Sequence, residues 1–167
     1  LMAAHPRSPM PRVALAAHLL RENDLASARR LLEEALSWDE MHREANTLLG
    51  DLLYRSRERD AAREHYERIL RRDESDVVSH VALARMAFED GAFLEARTHF
   101  QSVLYISPRH FEAHFRLAEI CVQEKDWTEA AWHYLEAERV DDGRHPVIGR
   151  VDYLARMEAL WKASRGS

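Results

Sequence analysis

The feature that most constrains this chain is a step of 34 residues that recurs along its sequence. An alanine appears four times at this step, and four further columns of residues keep the same register. The four further columns consist of a leucine, the small residue directly after that leucine, a large residue four positions after each alanine, and an apolar residue three positions after the large one. The five columns are Ala28, Ala62, Ala96 and Ala130; Leu15, Leu49, Leu83 and Leu117; Ala16, Gly50, Ala84 and Ala118; Leu32, Tyr66, Phe100 and Tyr134; and Ala35, Ile69, Val103 and Ala137. A fixed period of this length indicates a repeat protein.

Each period predicts two antiparallel helices joined by a short polar turn. The four turns contain the sequences REND, SRERD, EDG and EKD. The small residues allow the two helices to approach closely, and the large residues fill the space between one helix pair and the next. Because a single pair leaves an apolar face that only a neighbouring pair can cover, stacked repeats share a continuous core. We therefore expect an all-α chain without a sheet.

These columns resemble the motif of the tetratricopeptide repeat family, W-x2-L-G-x2-Y…A-x3-F…P. The third repeat matches best, through Leu83, Ala84, Ala96, Phe100 and Pro108. The tryptophan and tyrosine of the motif are replaced here, at Arg12, Asn46, His80 and His114 and at Leu19, Leu53, Ala87 and Cys121. The resemblance implies a right-handed helical-hairpin solenoid of four repeats, over 9–42, 43–76, 77–110 and 111–144.

The segments outside the four repeats are expected to have different roles. Residues 1–8 are interpreted as a linker or a cut end. Over 145–167 an apolar stripe predicts one more amphipathic helix, formed by Val147, Val151, Leu154, Met157 and Trp161. A solenoid needs a terminal element with a polar outer face, so we interpret this ninth helix as a cap. The alternative is the start of a fifth, degenerate repeat.

Composition narrows the classes of function. The net charge of −5 argues against non-specific nucleic-acid binding, which requires a clustered basic face. No apolar run reaches 18 residues, so no membrane insertion is expected. The single cysteine, Cys121, excludes an internal disulfide. No phosphate-binding or nucleophile motif is present, so the sequence predicts no enzyme and no cofactor.

Two ladders of charged or titratable residues recur at the same step. His65, His99 and His133 lie on second helices, whose axes pack about 8–10 Å apart, whereas zinc needs each nitrogen at about 2.0–2.1 Å. We therefore interpret this ladder as a packing position. The pair His110 and His114 has chelating spacing, but no further ligand completes a set, so no metal is predicted. The second ladder is interpreted as a solvated helix face and comprises Arg29, Arg63 and Arg97.

The resemblance implies that the first helices of the repeats line a concave groove. Aromatic residues and arginines outside the core are the usual anchors of an interface. Tyr54, Phe88 and Phe115 stand off the packing columns, so we expect them not to be needed for the core. The predicted partner-binding residues are Asp51, Tyr54, Arg55, Val78, Val81, Arg85, Phe88, Glu89, Glu112, Phe115, Arg116 and Glu119.

The sequence thus favours a non-enzymatic scaffold that binds a helix or an extended peptide segment of a protein partner. Two alternative hypotheses stay open. One is that the chain is the substrate-recruiting region of a larger enzyme, such as a glycosyltransferase. The other is that it is a self-assembling scaffold. Leu31 stands where later repeats have histidine, so the N-terminal end is the more apolar one, which is the feature that suggests self-association.

Overall fold

The computed structural model describes residues 8–140, together with residues 158, 159 and 162. Over this part the chain is entirely helical, with eight α-helices and no strand. The linker predicted over 1–8 and the capping helix predicted over 145–167 lie almost wholly outside the described residues. The helices are α1 (Met10–Arg21), α2 (Leu25–Trp38), α3 (Arg43–Arg55), α4 (Arg59–Leu70), α5 (Val77–Glu89), α6 (Phe93–Ile106), α7 (Phe111–Gln123) and α8 (Trp127–Val140).

The helices form hairpins that stack on one another, as the 34-residue step predicts. The chain comprises two compact halves, residues 1–83 and 84–167. In the N-terminal half, α1 packs on α2, α3 packs on α4, and α2 contacts α3 of the next hairpin. In the C-terminal half, α7 packs on α8, and α6 contacts α7. The fold is an all-α helical-hairpin solenoid.

Each hairpin turn is closed by the same backbone motif. One residue in every turn adopts a left-handed conformation, and these residues, Asn23, Arg57, Gly91 and Lys125, are themselves 34 residues apart. The residue that follows each of them donates a 2.9 Å backbone hydrogen bond to the carbonyl five positions earlier, as from Asp24 to Leu19. This is the Schellman closure of a helix end. The turn is therefore repeated as faithfully as the core.

The packing columns form the core. All four alanines of the first column and all four small residues of the third column are buried. A Cβ added at Gly50 would lie 2.9 Å from Cζ of Tyr66, so the glycine allows the second helix of its own hairpin to approach. The large residues Leu32, Tyr66, Phe100 and Tyr134 are likewise buried. The predicted register is confirmed, with one exception: Leu15 is exposed, unlike the other leucines of its column.

Candidate binding surface

The predicted partner-binding residues of the N-terminal half lie on α3 and on the first turns of α5. Asp51, Arg55 and Val78 are exposed, and Tyr54 is half-buried. The guanidinium of Arg59 lies 5.4 Å from the centre of the Tyr54 ring. Asp51 is fixed from the core, because the hydroxyl of Tyr66 donates a 2.5 Å hydrogen bond to its Oδ1. Tyr54 and Asp51 are therefore held in place by contacts with α4 of their own hairpin.

The surface of the C-terminal half carries paired charges. Arg85 on α5 is 53% exposed, and its guanidinium forms a two-pronged contact with the carboxylate of Glu112 on α7. Its Nε donates to Oε1 of Glu112 at 2.5 Å. Glu89, also on α5, is exposed. The ion pair between Arg85 and Glu112 joins the first helices of two successive repeats.

Phe88, one turn further along α5 than Arg85, lies next to Arg116 of α7. The ring of Phe88 is half-buried and meets the edge of Phe93 at 5.6 Å between ring centres. The guanidinium of Arg116 lies 5.0 Å from the centre of the Phe88 ring, within cation–π range. Arg116 also donates a 2.8 Å hydrogen bond to Glu119. The two residues thus form a preorganised pair that is partly exposed to solvent.

Two of the predicted surface residues belong to the core instead. Phe115 is only 5% exposed and lies in a cluster with Ala118, Cys121, Ala130, Tyr134 and Ala137. Its ring stacks on Phe111 and meets Tyr134 edge-on, at 6.1 and 5.6 Å between centres. Val81 is also buried. The expectation that Phe115 is not needed for the core is wrong, because the hairpin partner α8 brings Tyr134 against it.

The arginine ladder was expected to be a solvated face, and this expectation is wrong for Arg97 and holds only in part for Arg29. Arg29 on α2 is 40% exposed and pairs with Glu33 on its own helix at 2.8 Å, but its Nη1 also lies 2.7 Å from Glu58, the N-cap residue of α4 in the next repeat. The side chain of Arg97 on α6 is only 16% exposed and binds Glu124 and Glu129 of the following hairpin. Arg97 also donates to Sγ of Cys121 at 3.4 Å. These arginines bridge adjacent repeats.

Two members of the histidine ladder, His65 and His133, pack against the first helices, as expected. Nδ1 of His65 lies 2.8 Å from Oδ1 of Asn46, whose amide donates to the carbonyls of Glu40 and His42. In the last hairpin, Nδ1 of His114 lies 3.1 Å from Nδ1 of His133, and both rings are buried. Replacement of the motif's tryptophan by Asn46 or His114 thus creates a polar contact to the second helix.

The two histidines with chelating spacing have separate hydrogen-bonding partners. His110 caps α7, since its Nδ1 accepts from the amide of Ala113 at 3.3 Å. Nε2 of His114 lies 3.1 Å from the carbonyl oxygen of Pro108. Across the part of the chain that the structure describes, no three histidine, cysteine, aspartate or glutamate side chains form a group that would hold a metal ion.

The thiol of Cys121 is unsuited to nucleophilic chemistry. It is buried within the last hairpin beside Arg97. Burial raises the pKa of this thiol to about 11, against the lowering effect of the nearby guanidinium. The cysteine is therefore a protonated packing residue at neutral pH.

The sequence analysis missed an apolar set on the second helices. Leu94 and Tyr105 on α6 and Trp132 and Leu135 on α8 are exposed, Tyr105 by 90%. At these positions the other repeats carry mainly polar residues, such as Arg71 at the step of Tyr105. Comparison of exposed columns, in addition to core columns, would have revealed this difference.

No helix within the described residues combines the length and the apolar character that crossing a membrane requires.

The repeat register and the fold match known proteins. A sequence model of the tetratricopeptide repeat matches residues 13–77, 47–110 and 81–145. No curated protein sequence matches the chain. Among solved structures, the chain is similar to YrrB, described as a TPR protein with an unusual peptide-binding site. The two share 16% identity with a TM-score of 0.80, over 98% of this chain and 81% of YrrB.

Two further solved structures have the same fold. MamA from Desulfovibrio magneticus RS-1 is 17% identical with a TM-score of 0.71, over 83% of this chain and 78% of that one. PilF from Pseudomonas aeruginosa is 18% identical with a TM-score of 0.74, over 95% and 69% of the two chains. At such identities the similarity concerns the fold.

Proposed function

Because this chain belongs to the tetratricopeptide repeat family, we propose that its first helices bind a helix or an extended segment of a partner protein in the concave groove typical of the family. The repeat fold is in general a non-catalytic scaffold, and similarity to a peptide-binding repeat protein supports a protein-interaction role. The partner-binding residues proposed are those of α3, α5 and α7 that remain accessible.

The observation that carries this proposal is the pair formed by Phe88 and Arg116. Phe93 contacts the ring edge to face and the guanidinium of Arg116 lies over it, so little side-chain entropy is left to lose on binding. Aromatic residues and arginines in such partly buried positions dominate the binding energy of protein interfaces. The core columns of the repeat are filled by other residues, and Phe88 is not among them.

The charges around this pair favour a partner that carries both signs. Arg85 is bound to Glu112, and Arg116 is bound to Glu119, so each cation already has an acidic neighbour. A partner carboxylate that approaches Arg85 must share the guanidinium with Glu112, and a partner cation can use the same glutamate. The surface therefore selects alternating charges around an apolar residue, rather than one strongly acidic or basic segment.

The proposal is tested with a partner isolated by co-purification from the source cells and identified by mass spectrometry. Isothermal titration calorimetry then compares the unmodified chain with Phe88→Ala. We expect binding at least about tenfold weaker, which corresponds to roughly 1.4 kcal/mol, with little change in the melting temperature. The matched control is Tyr105→Ala, which removes an exposed aromatic ring from a second helix. Equal affinity of Phe88→Ala and the unmodified chain would reject the groove as the binding site.

A further inference from the structure

A cavity of about 470 Å³ lies in the N-terminal half, between the turn that leads into α3 and the turn that follows α4. Residues 39 and 41–43 line it on one side, and residues 69, 72 and 73 line it on the other. We call it the turn cavity. Its volume falls in the range of ligand-binding pockets, about 300–1,000 Å³.

The turn cavity occurs where the second repeat departs from the other three. Arg72, which lines it, is exposed. The residues at the same step in the other repeats are apolar and half-buried, and they are Trp38, Ile106 and Val140. In the first repeat the guanidinium of Arg12 covers the Trp38 ring, 3.9 Å from its centre. Because packed proteins leave few voids larger than a water molecule, the charged member of this column leaves room for an apolar side chain from a ligand.

One part of the lining is apolar. Ile69 is only 4% exposed and belongs to a packing column of the core, and Met41 is half-buried. Nη1 of Arg72 donates to the carbonyl oxygen of Met41 at 3.4 Å, which is longer than the usual range of about 2.7–3.2 Å, so this contact is weak. An apolar side chain that enters the cavity would remove surface of Ile69 and Met41 from water, which is favourable.

The other part of the lining carries more carboxylate than cation. The guanidinium of Arg43 is bound to the buried Asp76, and its Nε donates to Oδ2 of that residue at 2.5 Å. This leaves the charges of Asp39 and Asp73 against that of Arg72. Since charges interact more strongly where water is partly excluded, this part of the lining favours an incoming cation.

Both aspartates are held by their own turns. Oδ1 of Asp39 accepts from the amide of Met41 at 3.2 Å, and Oδ1 of Asp73 accepts from the amide and the hydroxyl of Ser75 at 3.0 and 2.6 Å. The bonds from Ser75, with a smaller contribution from the charge of Arg43, lower the pKa of Asp73, so its carboxyl is ionised at neutral pH. Neither of these sets of bonds uses Oδ2, which is the oxygen left for a ligand.

A histidine supplies a hydrogen-bond donor to the same lining. Nδ1 of His42 accepts from the amide of Ala45 at 3.3 Å. The proton of the neutral imidazole is therefore on Nε2, and this N–H is suited to a backbone carbonyl of a bound chain segment.

We propose that the turn cavity binds an extended segment of a partner protein in which a bulky apolar residue is followed by a basic one. The apolar side chain contacts Ile69 and Met41, and the basic side chain binds Oδ2 of Asp39 or Asp73. The site is distinct from the groove of the proposed function, because its lining comes from turns and helix ends rather than from the faces of α3, α5 and α7.

The probe is the tetrapeptide acetyl-Gly-Trp-Arg-Gly-amide, titrated into the full 167-residue chain labelled with ¹⁵N and followed by NMR. We expect amide shifts centred on His42 and Asp73, with a Kd below about 5 mM, since a short flexible peptide loses conformational entropy on binding. Replacing the tryptophan of the peptide by alanine, or its arginine by glutamate, should each weaken binding at least about fivefold.

Two variants of the chain test the two parts of the lining. Arg72→Trp introduces the residue that the first repeat has at this step, fills the cavity, and should weaken binding at least about tenfold. The matched control is Arg71→Trp, the same change at a neighbouring exposed position outside the lining, which should alter binding less than about twofold. Asp39→Asn keeps the acceptor for Met41 but removes the charge, and should weaken binding at least about threefold. Circular dichroism establishes that each variant keeps its helical content.

Absence of shifts at about 10 mM tetrapeptide, or equal affinity for the glutamate peptide, would overturn the proposal. Shifts centred on Phe88 would assign the peptide to the groove and would overturn it as well. Phe88→Ala should leave tetrapeptide binding unchanged, so this proposal and the groove are tested separately. Concentration-dependent dimerisation of the chain alone, lost in Arg72→Trp but not in Arg71→Trp, would assign the cavity to a second copy and reject a separate partner.

Discussion

At the scale of single residues, the contact between Gly50 and Tyr66 defines how closely a hairpin packs. A Cβ at Gly50 would lie 2.9 to 3.3 Å from three carbons of the ring, and the ring is tied by its hydroxyl to Asp51. The ring cannot move away without loss of that hydrogen bond. Gly50 and Tyr66 are therefore expected to act as one energetic unit.

A double-mutant cycle measures this coupling. Gly50→Ala gains about 1 kcal/mol of helix propensity but adds a methyl group to a filled contact, which costs about 1–3 kcal/mol. In a Tyr66→Leu background the shorter side chain leaves room, and the alanine should then stabilise. We expect a coupling free energy of at least about 1 kcal/mol from urea unfolding. Additive effects of the two substitutions would contradict the contact.

The buried pair of His114 and His133 predicts loss of stability in acid. Nε2 of His114 donates to the carbonyl of Pro108, so its Nδ1 accepts from Nδ1–H of His133. Burial and the neighbouring His114 lower the pKa of His133 from 6.5 to about 4, although Glu129 opposes this. As pH falls from 6.5 to 4, the unfolded chain therefore takes up a proton that the folded chain does not bind. Stability is complete above this window and falls within it.

His133→Gln tests this contribution. The lowered pKa corresponds to a loss of about 2–3 kcal/mol between neutral pH and pH 4. We expect the variant to lose correspondingly less stability than the unmodified chain between pH 7 and pH 4.5, measured by urea unfolding at each pH. His18→Gln, which replaces an exposed histidine of α1 in the same way, is the matched control. An unaltered pH dependence in His133→Gln would show that the pair does not control it.

At the scale of helices and turns, the hairpin closure requires a left-handed residue, and only one repeat supplies glycine. Gly91 has φ +74, and a Cβ there would have no atom within 4 Å, so a side chain at this position is opposed by the backbone alone. Gly91→Ala should cost about 1 kcal/mol. Gly91→Asn should cost less, because asparagine tolerates this conformation, as Asn23 does in the first repeat. A higher melting temperature for Gly91→Ala than for Gly91→Asn would contradict this account.

The bridge made by Arg97 should matter more than ordinary surface ion pairs. Its guanidinium is largely buried between Glu124 and Glu129, so Arg97→Ala leaves two carboxylates beside the thiol of Cys121 without their cation. Since Glu124 and Glu129 are themselves 44% and 38% exposed, we expect a loss of about 1–2 kcal/mol in urea unfolding. Arg139→Ala removes a 70% exposed arginine that pairs with Glu136 on the same helix, and should cost less than about 1 kcal/mol. Equal losses of unfolding free energy in the two variants would show that Arg97 contributes no more than an ordinary surface ion pair.

The hairpins and their core could be predicted from the sequence, whereas the surface could not. A column such as Ala28, Ala62, Ala96 and Ala130 repeats because its packing repeats, so periodicity alone identifies it. Phe115 stands in a weaker column, in which Val13, Val81 and Phe115 are apolar and buried but the second repeat has Thr47, so the periodic signal for its burial is incomplete. The bridging role of Arg97 depends on glutamates 27 and 32 residues later, a spacing that the repeat period does not indicate.

At the scale of the whole molecule, an array of repeats should open first at the helix that makes the fewest contacts with other helices. A repeat's stability is the sum of its own contacts and those with its neighbours, so a helix with fewer such contacts opens more easily. Within the N-terminal half, α1 packs mainly on α2, and its Leu15 is exposed. Helix α3 packs on α4 and also contacts α2, and the Arg29–Glu58 ion pair joins the two hairpins. The first helix is therefore the weaker element.

Native-state hydrogen exchange measures this difference residue by residue. Amides of α1 should exchange through openings that cost less free energy than those of α3, by at least about 1–2 kcal/mol. Arg29→Ala should narrow the difference in opening free energy between α1 and α3, because it removes the Arg29–Glu58 contact between the first two hairpins. Equal protection of α1 and α3 would mean that the exposure of Leu15 carries no energetic deficit, and that the two hairpins unfold as one cooperative unit.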